Sequence, residues 1–206
     1  MAKNIQVIKI HIGCGSVYLR GYINVDVHIP GVSFLAAEHP DLVKKNSTTL
    51  DHYYQFPVTR RDIVSKKLED KRIVVDVFAD ARNLPFPKNS VDEIRSVQVF
   101  EHFTYDEGDR ILEYWYHLLK PHGTIYIDVP DLDETMKGYL NSKSQRDQRW
   151  YLRLLFGSQK NEYSLHRAMY SKRMLTDLLR KHGFLRIREL GNIHFYPAFA
   201  LEARKT

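Results

Sequence analysis

Lys9-Ile10-His11-Ile12-Gly13-Cys14-Gly15, followed closely by Gly21-Tyr22-Ile23-Asn24-Val25-Asp26, decides how this chain is read. The apolar run Val7 to Ile12 has the character of a buried strand and stops on Gly13-Cys14-Gly15. Glycines one residue apart let the backbone turn sharply and let a ligand approach without meeting a Cβ. Tyr22 to Val27 reads as a second strand and brings Asp26 near its end, where a carboxylate can accept hydrogen bonds from a ribose diol. Many α/β proteins carry a bare Gly-x-Gly merely as a turn, so the rest of the chain has to arbitrate.

Working outward, Ile73 to Phe78 is β-branched and nearly continuous, which predicts a third strand buried on both faces. Val91 to Val97 gives a fourth strand. Thr104 with Glu107 three residues on forms a capping box, and Ile111, Leu112, Trp115, Leu118 and Leu119 fall on one helical face. Lys120-Pro121-His122-Gly123 stops that helix, and Thr124 to Val129 is the fifth strand, closed by Pro130. Asp131 to Phe156 reads as helix in two pieces, broken near Gly138 or Asn141-Ser142, and Gly157 to Arg167 as a polar loop. Ser171 caps a helix expected to turn Met174, Leu175, Leu178 and Leu179 inward, with Gly183 at its stop. Phe184 to Leu190 and Ile193 to Leu201 form a closing hairpin. Alternating strands and helices predict an α/β fold: a mostly parallel sheet with helices on both faces, ligands at the strand C-termini and an antiparallel hairpin at the end. The expected organisation is one domain over 1–206 with an insertion at about 28–72, where Pro30, Gly31, Pro40 and Pro57 interrupt any single crossover helix. Its cluster Asp51-His52-Tyr53-Tyr54-Gln55-Phe56 suits either a substrate lid or a surface excursion.

Composition narrows the class. With 43% hydrophobic and 27% charged residues, the chain has the make-up of an ordered globular protein rather than a disordered one. One cysteine excludes a disulfide framework and a thiolate metal site. No apolar run approaches the roughly 18 residues of a membrane span. Met1-Ala2-Lys3-Asn4 opens no signal-peptide core, so the expected location is the cytoplasm. The net charge of +6 admits an anionic partner, but the basic pairs Lys44-Lys45, Arg60-Arg61, Lys66-Lys67 and Lys71-Arg72 are scattered. A nucleic-acid partner is therefore not favoured.

Taken together, these residues resemble class I S-adenosylmethionine-dependent methyltransferases, a Rossmann-like fold. Ile10-His11-Ile12-Gly13-Cys14-Gly15, Asn24-Val25-Asp26, Asp80-Ala81-Arg82-Asn83-Leu84-Pro85-Phe86 and Leu119-Lys120-Pro121-His122-Gly123-Thr124 carry the resemblance in the family's order, with Val99-Phe100-Glu101-His102-Phe103 after the fourth strand. Gly13-Cys14-Gly15 with Gly21 to Asp26 more narrowly resembles small methyltransferases associated or fused with glycosyltransferases in polysaccharide synthesis. The resemblance implies S-adenosyl-L-methionine as cofactor, leaving as S-adenosyl-L-homocysteine. It assigns cofactor contacts to His11, Gly13, Cys14, Gly15, Asp26, Asp80, Ala81 and Gln98. Gly13-Cys14-Gly15 would pass the methionine part, Asp26 would take the ribose hydroxyls, and Asp80 with the Ala81 N–H would read adenine. His11 departs from the acid many members carry, and the short step from Gly15 to Asp26 implies a much reduced first helix. The rival nicotinamide fold fails, since Tyr18 stands at the third glycine position and Asp26 arrives 11 residues after Gly15 rather than about 20.

Methyl transfer asks the protein to align an acceptor and remove its proton. A sugar hydroxyl needs a base for this; an amine needs less help. Glu101 and His102 follow the fourth strand, and Glu101 resembles the active-site glutamate of cyclopropane-forming relatives. His166 lies in the polar loop and is the preferred base, because a histidine pKa suits neutral pH. Asp131, after the fifth strand, suits either an acceptor contact or an N-cap. Tyr53, Tyr54 and Arg167 are expected to meet the acceptor. No convergent metal signature is visible, so a metal-independent reaction is expected. The preferred acceptor is a carbohydrate, with a glycosyltransferase as possible partner. An RNA or protein methyltransferase, or a non-catalytic cofactor-fold subunit, stands as the alternative, although the Asn/Asp-Pro-Pro-Tyr motif of base-amino methylation is absent.

Overall fold

The structure, a computed structural model, describes residues 7–53 and 72–206. Seven strands form the main sheet: β1 (Lys9–Ile12), β2 (Ile23–Asp26), β3 (Val77–Phe78), β4 (Val91–Val97), β5 (Leu119–Pro130), β6 (Phe184–Leu190) and β7 (Ala198–Lys205). Their spatial order is β6-β7-β5-β4-β1-β2-β3. β1 pairs in parallel with β2 on one side and β4 on the other, and β5 and β3 extend the parallel run outward. β7 runs antiparallel to both β5 and β6, closing the sheet with the expected hairpin. The chain reverses its direction of spread at β1, so a crevice opens between the ends of β1 and β4. In open α/β sheets ligands bind at such a point.

The described helices are α1 (Pro40–Asn46), α2 (Tyr105–Leu118), α3 (Leu132–Asn141), α4 (Gln145–Phe156) and α5 (Lys172–Lys181). None is long and apolar enough to cross a membrane. The capping box is realised: the Glu107 N–H donates to Thr104 Oγ1 at 3.3 Å, and the Thr104 N–H donates to Glu107 Oε2 at 2.9 Å. From that start Ile111, Leu112, Trp115 and Leu118 pack with Leu175 and Leu179 of α5 onto Ile10, Ile12, Ile94, Ile125, Ile127 and Leu201. Ser171 caps α5 by accepting from the Met174 N–H, but Met174 is 40% exposed, so α5 buries a narrower stripe than expected.

Side chains alternate across a strand, and the opposite sheet face is covered differently. Near β1 it carries Val17, Leu19, Tyr22, Tyr53, Val97, Tyr126 and Ala200. No described residue between Gly13 and Tyr22 is helical; Tyr18–Leu19 instead pairs with Ser47–Thr48, drawing the β2–β3 excursion under β1. The expected strand Ile73–Phe78 is interrupted at Asp76. Ile73–Val75 pairs with Ser33–Leu35 outside the main sheet, and only Val77–Phe78 continues beside β2. The break has a polar cause: the Asp76 carboxylate accepts from the Asn24 N–H at 2.7 Å and from the Tyr18 hydroxyl at 2.6 Å.

Candidate functional site

A cavity of about 530 Å³ lies at the C-terminal ends of β1, β2 and β4. Gly13, Asp26, Asp80, Ala81 and Gln98 line one end, and His102, Glu162, Tyr163 and Arg167 contribute to the other.

At the first end Gly13 has φ +62°, and a Cβ there would stand 2.3 Å from Val99 Cγ2. Backbone and space both demand glycine. The Asp26 carboxylate accepts from the Gly15 N–H and from the Val27 N–H, each at 2.8 Å, which leaves lone pairs on both oxygens. Burial pushes the carboxyl up, and the two N–H bonds pull the other way. Asp80 is gripped by Arg82, whose Nε and a terminal nitrogen donate to its two oxygens at 2.9 and 2.7 Å. That hydrogen bonding holds its carboxyl below the usual range. The Ala81 carbonyl is fixed by the buried Trp115 indole N–H at 2.9 Å. Gln98, at φ +55°, donates from Nε2 to Asp128 at 2.7 Å.

Four expected contacts stand away from the cavity lining. His11 is fully buried and does not line it. Its Nδ1 lies 3.1 Å from Asn24 Oδ1 and its Nε2 2.6 Å from the Tyr53 hydroxyl. The amide oxygen can only accept, so Nδ1 carries the hydrogen and Nε2 receives the Tyr53 O–H. Burial lowers this imidazole to about 4, in keeping with a neutral strut. Tyr53 is for the same reason a core residue, 7% exposed, rather than an acceptor contact. Tyr54 lies outside the described residues. The Cys14 side chain is also buried, its thiol 3.6 Å from the Val74 carbonyl, and Gly15 serves through its N–H to Asp26.

At the other end, Phe100–His102 forms a short 3-10 turn after β4. The Gly157–Arg167 loop returns over it: the Arg167 and Ala168 N–H groups donate to the Glu101 carbonyl at 2.8 and 3.1 Å. Glu101 is 1% exposed, and burial, aided by the Asp128 charge, raises its carboxyl well above the ordinary range. His102 lines the cavity, with Nδ1 2.8 Å from the Leu165 carbonyl. His166 meets it edge-on at 4.9 Å between ring centroids and stands outside the cavity lining. Burial lowers both imidazoles, His166 to about 4 with His102 adding to the shift. Arg167 lines the cavity. Asp131 does not; it caps α3, accepting from the Asp133 and Glu134 N–H groups at 3.0 and 3.2 Å. Of its two readings, the N-cap is the one realised.

Sequence reading missed Glu162 and Tyr163, visible only as part of a polar loop. His194, from the stretch between β6 and β7, also reaches this region. Its side chain is 1% exposed and lies 2.7 Å from Asp128, the residue that anchors Gln98.

Residues 10–127 match a family model described as a methyltransferase domain. No curated protein matches the chain. Among solved structures, it is similar to human N-acetylserotonin methyltransferase in complex with SAM, with a TM-score of 0.53 at 16% identity over 98% of this chain and 48% of that one. A putative O-methyltransferase from Nostoc punctiforme gives a TM-score of 0.53 at 10% identity over 97% and 52%. A SAM-dependent methyltransferase from Methanosarcina mazei gives 0.50 at 17% identity over 98% and 94%. The chain thus spans about half the length of the first two. At these identities the likeness establishes the fold.

Proposed function

The chain belongs to the methyltransferase-domain family and is a SAM-dependent methyltransferase, and on that premise we propose that it O-methylates a hydroxyl of a carbohydrate acceptor. The first end of the cavity fits the cofactor. Gly13, packed against Val99 with no room for a Cβ, keeps the turn tight at the cavity wall, Asp26 keeps free lone pairs there, and Asp80, Ala81 and Gln98 complete the lining. S-adenosylmethionine, when bound, supplies a methyl group already activated as part of a sulfonium. The protein's remaining task is the acceptor.

The observation that carries the hydroxyl reading is the meeting of Glu101, His102 and His166 beside the cavity. Burial keeps both imidazoles neutral at pH 7, so each retains a lone pair. A hydroxyl must lose a proton to become a competent nucleophile, and this cluster is where the cavity can help it do so. His102, rather than the initially preferred His166, faces the acceptor, because only His102 of the two lines the cavity. Glu162, Tyr163 and Arg167 at the rim offer an acceptor, a flat ring with a hydroxyl, and a donor fork, a set suited to a polyhydroxylated ring. Glycosyl transfer makes such acceptors, so the proposed partner is a glycosyltransferase acting before this step.

Incubation with methyl-labelled cofactor and parallel sets of glycans, RNA and small amines, followed by mass spectrometry, tests the reading. Label on a glycan oxygen is expected, and label confined to RNA or amines overturns it. His102→Ala should lower kcat by about 10²–10⁴-fold while cofactor affinity stays near the wild-type value.

A further inference from the structure

Glu101 is 1% exposed, and among the described residues only its own backbone N–H acts on its carboxylate, neither oxygen being hydrogen-bonded to another residue. A carboxylate so placed has to be neutralised by a proton or by a cation. A proton would create an O–H in need of an acceptor, and the facing nitrogen, His166 Nε2, is 3.9 Å from Oε1, beyond hydrogen-bond reach.

The same gap suits an ion. Two donors bound at about 2.1 Å to one metal stand roughly 3–4.2 Å apart, according to the angle between the bonds. Glu101 and His166, at 3.9 Å, fall within that span. One ligand atom each from Glu101, His102 and His166 all lie within 4.8 Å of one another, so small side-chain rotations close the set. Both rings are already oriented for the purpose. Nδ1 of His102 lies 2.8 Å from the Leu165 carbonyl, and Nδ1 of His166 lies 2.8 Å from the Leu154 carbonyl. A carbonyl only accepts, so these short contacts place the hydrogen on each Nδ1 and the lone pair on each Nε2, although the Gln98 backbone also acts on the His102 ring. Metal-binding histidines are held in this way by their outer neighbours. Asp128, buried with Oδ2 unpartnered, adds negative charge that acts on Glu101. Arg167 and Arg153 act in opposition on the histidines.

We infer that Glu101, His102 and His166 form a site for one divalent transition-metal ion, with a coordination position open toward the cavity. Two imidazoles and one carboxylate suit zinc, cobalt or manganese better than magnesium or calcium. The inference replaces the expected metal-independent reaction; Glu101-His102 and His166 are too far apart in the chain for spacing to announce them. What the ion does for catalysis rests on the hydroxyl-methylation reading. An acceptor oxygen at the open position would release its proton to solvent more readily than in free solution.

The test uses the full chain after dialysis against a chelator, with Zn²⁺ titrated by calorimetry and Co²⁺ followed by its visible absorption. One equivalent is expected in each case. Glu101→Gln and His166→Ala should each weaken binding by at least about tenfold, since even outer-shell changes cost that much. Absence of stoichiometric uptake, or uptake undiminished in both variants, overturns the inference. Circular dichroism checks their fold. Should either variant be unfolded, His102→Ala, altered at the cavity wall, must show the same loss, and full retention there overturns the site. Methyl transfer measured on the same samples separates the two readings. Zinc uptake without hydroxyl methylation sinks only the acceptor assignment, and chelator-indifferent methylation without uptake sinks only the metal site.

Discussion

The two ends of the cavity differ in how completely the protein satisfies its own polar groups. At the cofactor end, Asp26 holds two backbone N–H groups and Asp80 holds Arg82, which Glu107 also engages at 3.0 Å. At the proposed acceptor end, no other described residue hydrogen-bonds the Glu101 carboxylate oxygens, and each imidazole meets a backbone carbonyl through Nδ1. A satisfied site is rigid before its ligand arrives and loses little on binding. An unsatisfied one stores a cost that a ligand, an ion or a proton in transit relieves. The contrast matches the proposed division of the pocket between holding the cofactor and reacting.

The largest effect expected from breaking the contrast falls on the ordered end. Asp26→Ala removes the carboxylate assigned to the ribose, and cofactor affinity should fall by about 30- to 1000-fold, or 2–4 kcal/mol, in calorimetry. Unchanged affinity in a folded variant would mean the cofactor is held elsewhere. Next comes the turn beneath it. Gly13→Ala sets a Cβ against Val99 at positive φ, and urea unfolding should register a loss of about 2–3 kcal/mol. A neutral result would show that the β1 turn gives way more easily than its packing implies. The smallest effect sharpens the comparison from the other side. Burial raises the Glu101 carboxyl above its ordinary 4.5. A carboxyl raised by folding favours the fold fully below its unfolded pKa, and that contribution is lost as pH climbs through the folded value. In metal-free protein Glu101→Gln should therefore flatten the decline of stability above pH 4.5. It should also raise stability at pH 7 by about 1–2 kcal/mol. Equal pH profiles for both proteins would show that Glu101 is partnered after all.

Legibility in the sequence followed the range of the interactions involved. The places of Asp80 and Ala81 at the cavity wall were supplied by resemblance, whereas those of Gly13 and Asp26 were readable because a turn and a strand end set them through local backbone geometry. The capping boundary at Thr104 and the break between α3 and α4 were readable for the same reason. His11, given a cofactor contact by resemblance, stands instead in the buried layer, where its hydrogen bond depends on Tyr53, a partner 42 residues away. The division at Asp76 was hidden by a β-branched run whose apolar pattern outweighed one carboxylate reaching for Asn24 and Tyr18. Glu101, His102 and His166 were each named, but their convergence depends on how the Gly157–Arg167 loop folds back onto the Glu101 carbonyl. Nothing in residue spacing encodes that return.

The hydrogen bond from Tyr53 to His11 bears on how far this domain can be shortened. An excursion between two strands looks like the natural place to trim toward a minimal scaffold, with a short linker carrying β2 straight into β3. Here that cut would remove Tyr53, which bonds His11 of the strand bearing the glycine turn, and Thr48, which pairs with Leu19 beyond that turn. It would also leave a buried imidazole nitrogen beneath β1 with nothing to accept from. The excursion is part of the foundation, and any pared-down version has to keep the chain that returns beneath β1 as far as Tyr53.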